Sequence, residues 1–198
     1  MTFNVLATVD VLSELYLHLL IESYRSFFEE QTPKNQSKIN LVLFSRRYFT
    51  YQHDGVALSD LGLNIRVVCA TDEQETNAVF KEASVLLLPI LEAPGPIVKE
   101  LLICGVPILC HQESIIRKHI DKRFRLVAGN KDEIVYSNNH AMEDYADLLE
   151  TLYFDTSVQK LLKKNADKKY RRKVTNGGNL IGRLKFDSIT KSILDYGA

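Results

Sequence analysis

The chain has 198 residues, room for one generous domain or one domain with extensions, and it can bury a substantial core. Hydrophobic residues make up 45% and charged residues 25%, a globular balance that excludes intrinsic disorder. Lysine plus arginine equals aspartate plus glutamate at 25 each, and this neutrality argues against a dedicated nucleic-acid binder.

Residues 3–9 read as an apolar strand, and Ser13 then opens a helical pattern. Leu15, Tyr16, Leu19 and Leu20 recur at helical spacing, and the pattern runs to about Glu30. The run Thr32-Pro33-Lys34-Asn35 breaks it. Residues 39–44 form a near-continuous aliphatic stretch of the kind buried in a parallel sheet. Residues 45–62 are less regular, with Tyr48, Phe49, Tyr51, Gly55 and Gly62.

A third strand is expected over 64–70, followed by a helix that ends near Ala83. Thr71 is the expected N-cap of that helix, with Gln74 completing a capping box. Residues 84–89 give the fourth strand, 96–105 a helix, 106–110 the fifth strand and 124–128 a sixth. Helices are expected over 141–153, 157–173 and 186–196. The turn-rich run Thr175-Asn176-Gly177-Gly178-Asn179 reads as a loop or hinge rather than a domain boundary. Aliphatic strands alternating with helices imply an α/β fold, a doubly wound parallel sheet of about six strands with helices on both faces.

Cys69, Cys104 and Cys110 each lie beside Val, Ile or Leu and read as buried free thiols. No CxxC or Cys/His pair has zinc spacing, and no metal is expected. The five histidines (His18, His53, His111, His119, His140) look scattered; His111 ends the fifth strand on the ligand side, and His18 reads as a surface or satisfied core residue. The N-terminus lacks the charged and long apolar regions of a signal peptide, and the run 85–91 is too short to span a bilayer. A cytoplasmic location is expected.

Ligands on doubly wound sheets bind beyond the carboxyl ends of the strands. The loops of interest therefore follow Val9, Phe44, Ala70, Leu88 and Cys110. The fourth is unusual: Pro89-Ile90-Leu91-Glu92-Ala93-Pro94-Gly95-Pro96 places a carboxylate, a glycine and three prolines before an expected helix N-terminus. Unpaired N–H groups and the positive end of a helix dipole suit a phosphate, and Pro96 fits a first turn whose N–H needs no partner. Glu100 would stand about 6 Å along the helix from Pro96. There its carboxylate can accept two hydrogen bonds from a vicinal diol such as ribose; the alternative is a solvated residue on an amphipathic helix.

The run 82–110 resembles the signature of GT-B glycosyltransferases of the large retaining family 4 type. It keeps Glu92 and Glu100 at the family's eight-residue separation, with Gly95 and the run Cys104-Gly105-Val106-Pro107. Residues 147–166 resemble the family's paired C-terminal helices, so the likeness covers nearly the whole chain. It implies one Rossmann-like domain over 1–198, the donor-binding C-terminal half of such an enzyme, with 173–198 as terminal loop and helix. By that resemblance Glu92 is the catalytic-site residue near the transferred sugar and Glu100 binds the ribose. Ala93, Gly95 and Ile97 surround the diphosphate, with Thr8 from the first loop. The donor would be a UDP- or GDP-sugar, with no bound cofactor or metal. A separate GT-B N-terminal domain protein or a homo-oligomer would be the partner.

The sequence also departs from that pattern. The family's first loop presents an arginine and then a lysine to the diphosphate, whereas residues 7–14 carry no cation and hold Asp10 and Glu14. Two missing cations remove charge stabilisation of the leaving group worth several kcal/mol. A catalytically degenerate domain that binds a nucleotide, sugar or protein is the alternative. A phosphorelay receiver has similar alternation but needs a lysine after the fifth strand, where Cys110-His111-Gln112 has none. No GxGxxG or P-loop occurs. The basic run from Lys160 to Lys173 suits a solvated helix face or peripheral contact with an anionic membrane. Tyr48, Tyr51 and Tyr153 are candidate partner-interface residues.

Overall fold

The computed structural model describes residues 2–88, 105–111, 125–128 and 138–166. Its main sheet is built from strands β1 (Phe3–Thr8), β2 (Ile39–Ser45), β5 (Ile65–Cys69), β6 (Val85–Leu88), β7 (Ile108–His111) and β8 (Arg125–Ala128). Their spatial order is β5-β2-β1-β6-β7-β8, and every neighbouring pair runs parallel. Counting only these six strands, the order is 3-2-1-4-5-6, that of a dinucleotide-binding α/β fold. The chain builds outward from β1 in one direction, then returns to β1's other edge with β6. The switch point therefore lies between β1 and β6.

Helix α1 (Glu14–Glu29) starts where Ser13 caps it, the Ser13 hydroxyl accepting from the Tyr16 N–H at 3.4 Å. With α4 (Asn138–Phe154) it covers one face of the sheet. Phe3 of β1 meets Phe27 of α1 and Tyr153 of α4 edge-on, at centroid distances of 6.1 and 5.5 Å. Helix α3 (Glu73–Glu82) covers the opposite face, where Phe80 packs edge-on against Phe44 at 5.2 Å. The central strands β1, β2 and β6 are buried almost throughout, and that two-sided burial explains their continuous aliphatic sequences.

Four expectations need correction. The N-cap of α3 is Asp72, not Thr71; its carboxylate accepts from the Glu75 N–H at 2.8 Å. Asp72 sits one residue later, and its negative charge also favours the positive helix end. The break at 32–35 closes into a four-residue helix, α2 (Pro33–Gln36), with Pro33 at its first position. The irregular 45–62 segment contains a hairpin, β3 (Gln52–His53) with β4 (Val56–Ala57). Asp54 and Gly55, with φ of 51° and 79°, supply the left-handed turn between them. Finally, Cys69 is exposed because β5 is an edge strand with little cover, whereas Cys110 in β7 is buried as expected.

The last described helix, α5 (Thr156–Ala166), follows α4 after Asp155. Residues 96–104 of the expected helix over 96–105, residues 167–173 of that over 157–173, the expected helix over 186–196, Cys104 and the 175–179 turn lie outside the described residues. No helix among the described residues is long and apolar enough to cross a membrane.

Candidate functional site

The two edges of the sheet differ in their polar chemistry. At the amino edge a side-chain ladder closes the backbone. The Asn4 amide donates to the Glu82 carbonyl at 3.1 Å, and Asn40 donates to the Asn4 side-chain oxygen at 2.9 Å. The Asn4 N–H donates to the Ser84 hydroxyl at 3.2 Å, and the Asn64 amide reaches the Gln36 and Ile39 carbonyls at 2.7 and 3.1 Å. Gly105, with φ 75°, leads into Val106-Pro107 on this same edge, and the Pro107 carbonyl accepts from the Leu86 N–H at 2.8 Å. The Gly-Val-Pro run is thus a folding element, where only glycine takes that backbone conformation without strain.

The carboxyl edge is organised differently. Thr8 ends β1 at the switch point, fully buried, and its Oγ1 has no hydrogen-bond partner among the described residues. It lies on the α3 side of the sheet, in register with Phe44. A buried hydroxyl without a partner costs about 1–3 kcal/mol, so such a group calls for an explanation. Of the sequence-derived site residues, Thr8 alone falls within the described residues. Glu92, Ala93, Gly95, Ile97 and Glu100 lie outside them, although β6 ends at Leu88 directly beside β1 and starts the segment that carries them.

Asp10 is a structural latch. One carboxylate oxygen accepts from the Ser45 hydroxyl at 2.6 Å and the other from the Arg46 N–H at 2.8 Å. The Ser45 hydroxyl accepts in turn from the Arg47 N–H at 3.0 Å, so Asp10 ties the loop after β1 to the loop after β2. Glu14 stands in the first turn of α1, where the Tyr16 N–H donates to the Ser13 hydroxyl and the Leu17 N–H to the Ser13 carbonyl. The N-terminus of α1 is thus capped at Tyr16 and carries an acidic residue in its first turn. His111 ends β7 half-buried, as its strand-end position requires. Below it, Tyr145 of α4 is buried near Cys110, and burial holds its hydroxyl well above the ordinary tyrosine range, so it stays neutral at working pH.

Two further expectations change. The histidines are not all scattered: His18 of α1 and His53 of β3 stack with ring centroids 4.6 Å apart. Tyr51 and Tyr153 are packing residues rather than free surface anchors. Tyr51 lies against Phe49 and His53, and Tyr153 sits among Phe3, Phe27 and Phe154. Tyr48 is exposed as expected.

No family profile matches the chain, and no curated protein matches it in sequence. Solved structures do resemble it. The catalytic domain of cholesterol-α-glucosyltransferase from Helicobacter pylori aligns with a TM-score of 0.57 at 12% identity, covering 87% of this chain and 99% of that one. The GtfA/B complex aligns at 0.59 and 11% identity, over 85% of this chain and 33% of that one. HepE from Anabaena, solved with UDP and glucose, aligns at 0.56 and 11%, over 98% of this chain and 48% of that one. The chain shares a Rossmann-like α/β fold with these structures. It spans nearly all of the first of these chains and less than half of the other two.

Proposed function

We propose that this chain is the nucleotide-sugar donor domain of a retaining glycosyltransferase and transfers a sugar only together with a partner N-terminal half. The observation that carries the reading is the buried Thr8 hydroxyl at the β1–β6 switch point, which has no hydrogen-bond partner among the described residues. A ligand bound in that crevice would complete it. Because α1 is capped by Ser13 and carries Glu14, the diphosphate belongs to the other side of the crevice, where the sequence after Leu88 supplies Ala93, Gly95 and Ile97. Glu100 then takes the ribose diol, and Glu92 lies by the transferred sugar. UDP and GDP sugars both fit this chemistry, and the UDP and glucose held by the Anabaena protein support the donor class.

The Asp10 latch favours a second reading. A carboxylate spent on Ser45 and Arg46 occupies the loop where the enzyme class needs cations, so the domain would bind a nucleotide without activating it. Partner dependence under the first reading comes from the same deficit: the leaving-group charge must be neutralised by another chain.

Calorimetric titration with UDP, GDP and their sugars tests the donor site. Binding at millimolar affinity or better is expected for one base, and Glu100→Ala is expected to weaken it at least tenfold, about 1.4 kcal/mol. No heat with any of the four ligands would overturn the donor reading.

A further inference from the structure

A second constellation lies between α1 and the β3–β4 hairpin. His18 and Glu22 are one helical turn apart and so project from the same face of α1. His53 enters from the hairpin. One ligand atom from each of the three lies within 4.8 Å of the others. The His53 side chain is 1% exposed and its Nε2 donates to Glu22 Oε1, which also accepts from Arg25 at 2.8 Å. The other ring nitrogen of His53, Nδ1, is buried with no partner among the described residues. Asp54 adds a carboxylate with one oxygen 3.9 Å from His18 Nδ1 and the other 3.9 Å from His53 Nε2. Its φ of 51° in the hairpin turn fixes it there.

Two imidazoles stacked against each other beside two carboxylates form a donor set richer than a structural ion pair requires. A tetrahedral zinc centre holds nitrogen and oxygen ligands at about 2.0–2.2 Å, which places ligand atoms about 3.4 Å apart. To reach that spacing, atoms now up to 4.8 Å apart must draw together and the His53–Glu22 contact must widen as the metal replaces its proton. Arg25 can stay on Glu22, because a carboxylate has about four lone-pair sites, and it would orient the ligand as outer-shell partners do. The site is open to solvent on one side: His18 is 44% and Asp54 73% exposed, while Glu22 also lines a groove of about 410 Å³ with Arg25, Ser26, Glu29, Met142 and Glu143.

We propose that His18, Glu22 and His53 bind one zinc-class divalent cation, with Asp54 or water in the fourth position. Such an ion clamps the hairpin to α1.

The test is titration of the whole chain with Zn²⁺ against a chromophoric chelator, paired with Co²⁺ absorption. One equivalent per chain is expected, with visible d–d bands and no thiolate charge-transfer band. Cys69→Ser should leave the binding unchanged, which separates the site from the exposed thiol. His18→Ala, at a half-exposed position that leaves the fold intact by circular dichroism, is expected to weaken binding by at least about tenfold. Glu22→Gln should do the same; if that variant does not fold, His18→Ala decides. No saturable binding below about 100 µM free Zn²⁺, binding that survives His18→Ala, or binding lost in Cys69→Ser would each overturn the proposal.

Discussion

Thr8 and Asp10 are two residues apart and have opposite roles. Asp10 is fully used by Ser45 and Arg46, so its carboxylate belongs to the fold. Thr8 is buried without a partner among the described residues, so its hydroxyl contributes nothing to the free protein and costs its desolvation. The shape-conserving change Thr8→Val therefore separates fold from function. Its unfolding free energy in urea titration is expected to stay the same or rise, by up to about 1 kcal/mol, because an orphaned polar group is removed. Its affinity for UDP is expected to fall. A marked loss of stability would instead mean that the hydroxyl is satisfied inside the protein. From the sequence, Thr8 was legible only through a family resemblance, since a threonine at a strand end is unremarkable. The roles of His18 and His53 were not legible, because His53 is 31 residues from Glu22 and no spacing rule spans such a gap.

At the scale of elements, strands and helices declare themselves to different degrees. The main-sheet strands read clearly because parallel strands buried on both faces are continuous aliphatic runs. The exception is β5, whose sequence is as apolar as its neighbours' but whose edge position leaves Val67 and Cys69 exposed; sequence alone does not tell an edge from a centre. The hairpin was missed because two-residue strands show no period, although Asp54-Gly55 is a strong turn signal. Helix starts carry their own chemistry. Asp155 precedes α5 and accepts from the Ser157 hydroxyl and from the Ser157 and Val158 N–H groups, the two backbone bonds at 2.9 and 3.2 Å. Those bonds, the Ser157 hydroxyl first, hold its carboxyl below the usual aspartate range. A depressed native pKa stabilises the folded state fully above the unfolded value of about 3.9 and loses that contribution as pH falls through the lower native value. Carboxyl-carbon NMR titration is expected to place Asp155 below about 3.9, and Ser157→Ala to raise it. An unshifted Asp155 would remove the cap from the account.

For the molecule as a whole, topology does most to locate function. The 3-2-1-4-5-6 order fixes a single switch point; the Asn4, Asn40 and Asn64 ladder closes the amino edge, and at the carboxyl edge Asp10 ties two loops together while the buried Thr8 hydroxyl has no partner among the described residues. The fold was legible from alternating patterns; the strand order was not, because nothing in a strand's own sequence states which neighbour it pairs with. The resemblance in 82–110 supplied a donor-site hypothesis, and the first-loop acids supplied the reason to separate binding from catalysis. The two proposed sites use different residues, the nucleotide those of the β1–β6 crevice and the cation those of α1 and the hairpin. Hydrogen exchange of the whole chain with and without saturating UDP tests the central claim most directly. Slowed exchange is expected in peptides covering residues 6–13 and 88–100, with the hairpin over 52–57 unchanged. Unaltered exchange in both carboxyl-edge peptides, or protection confined to other parts of the chain, would contradict it.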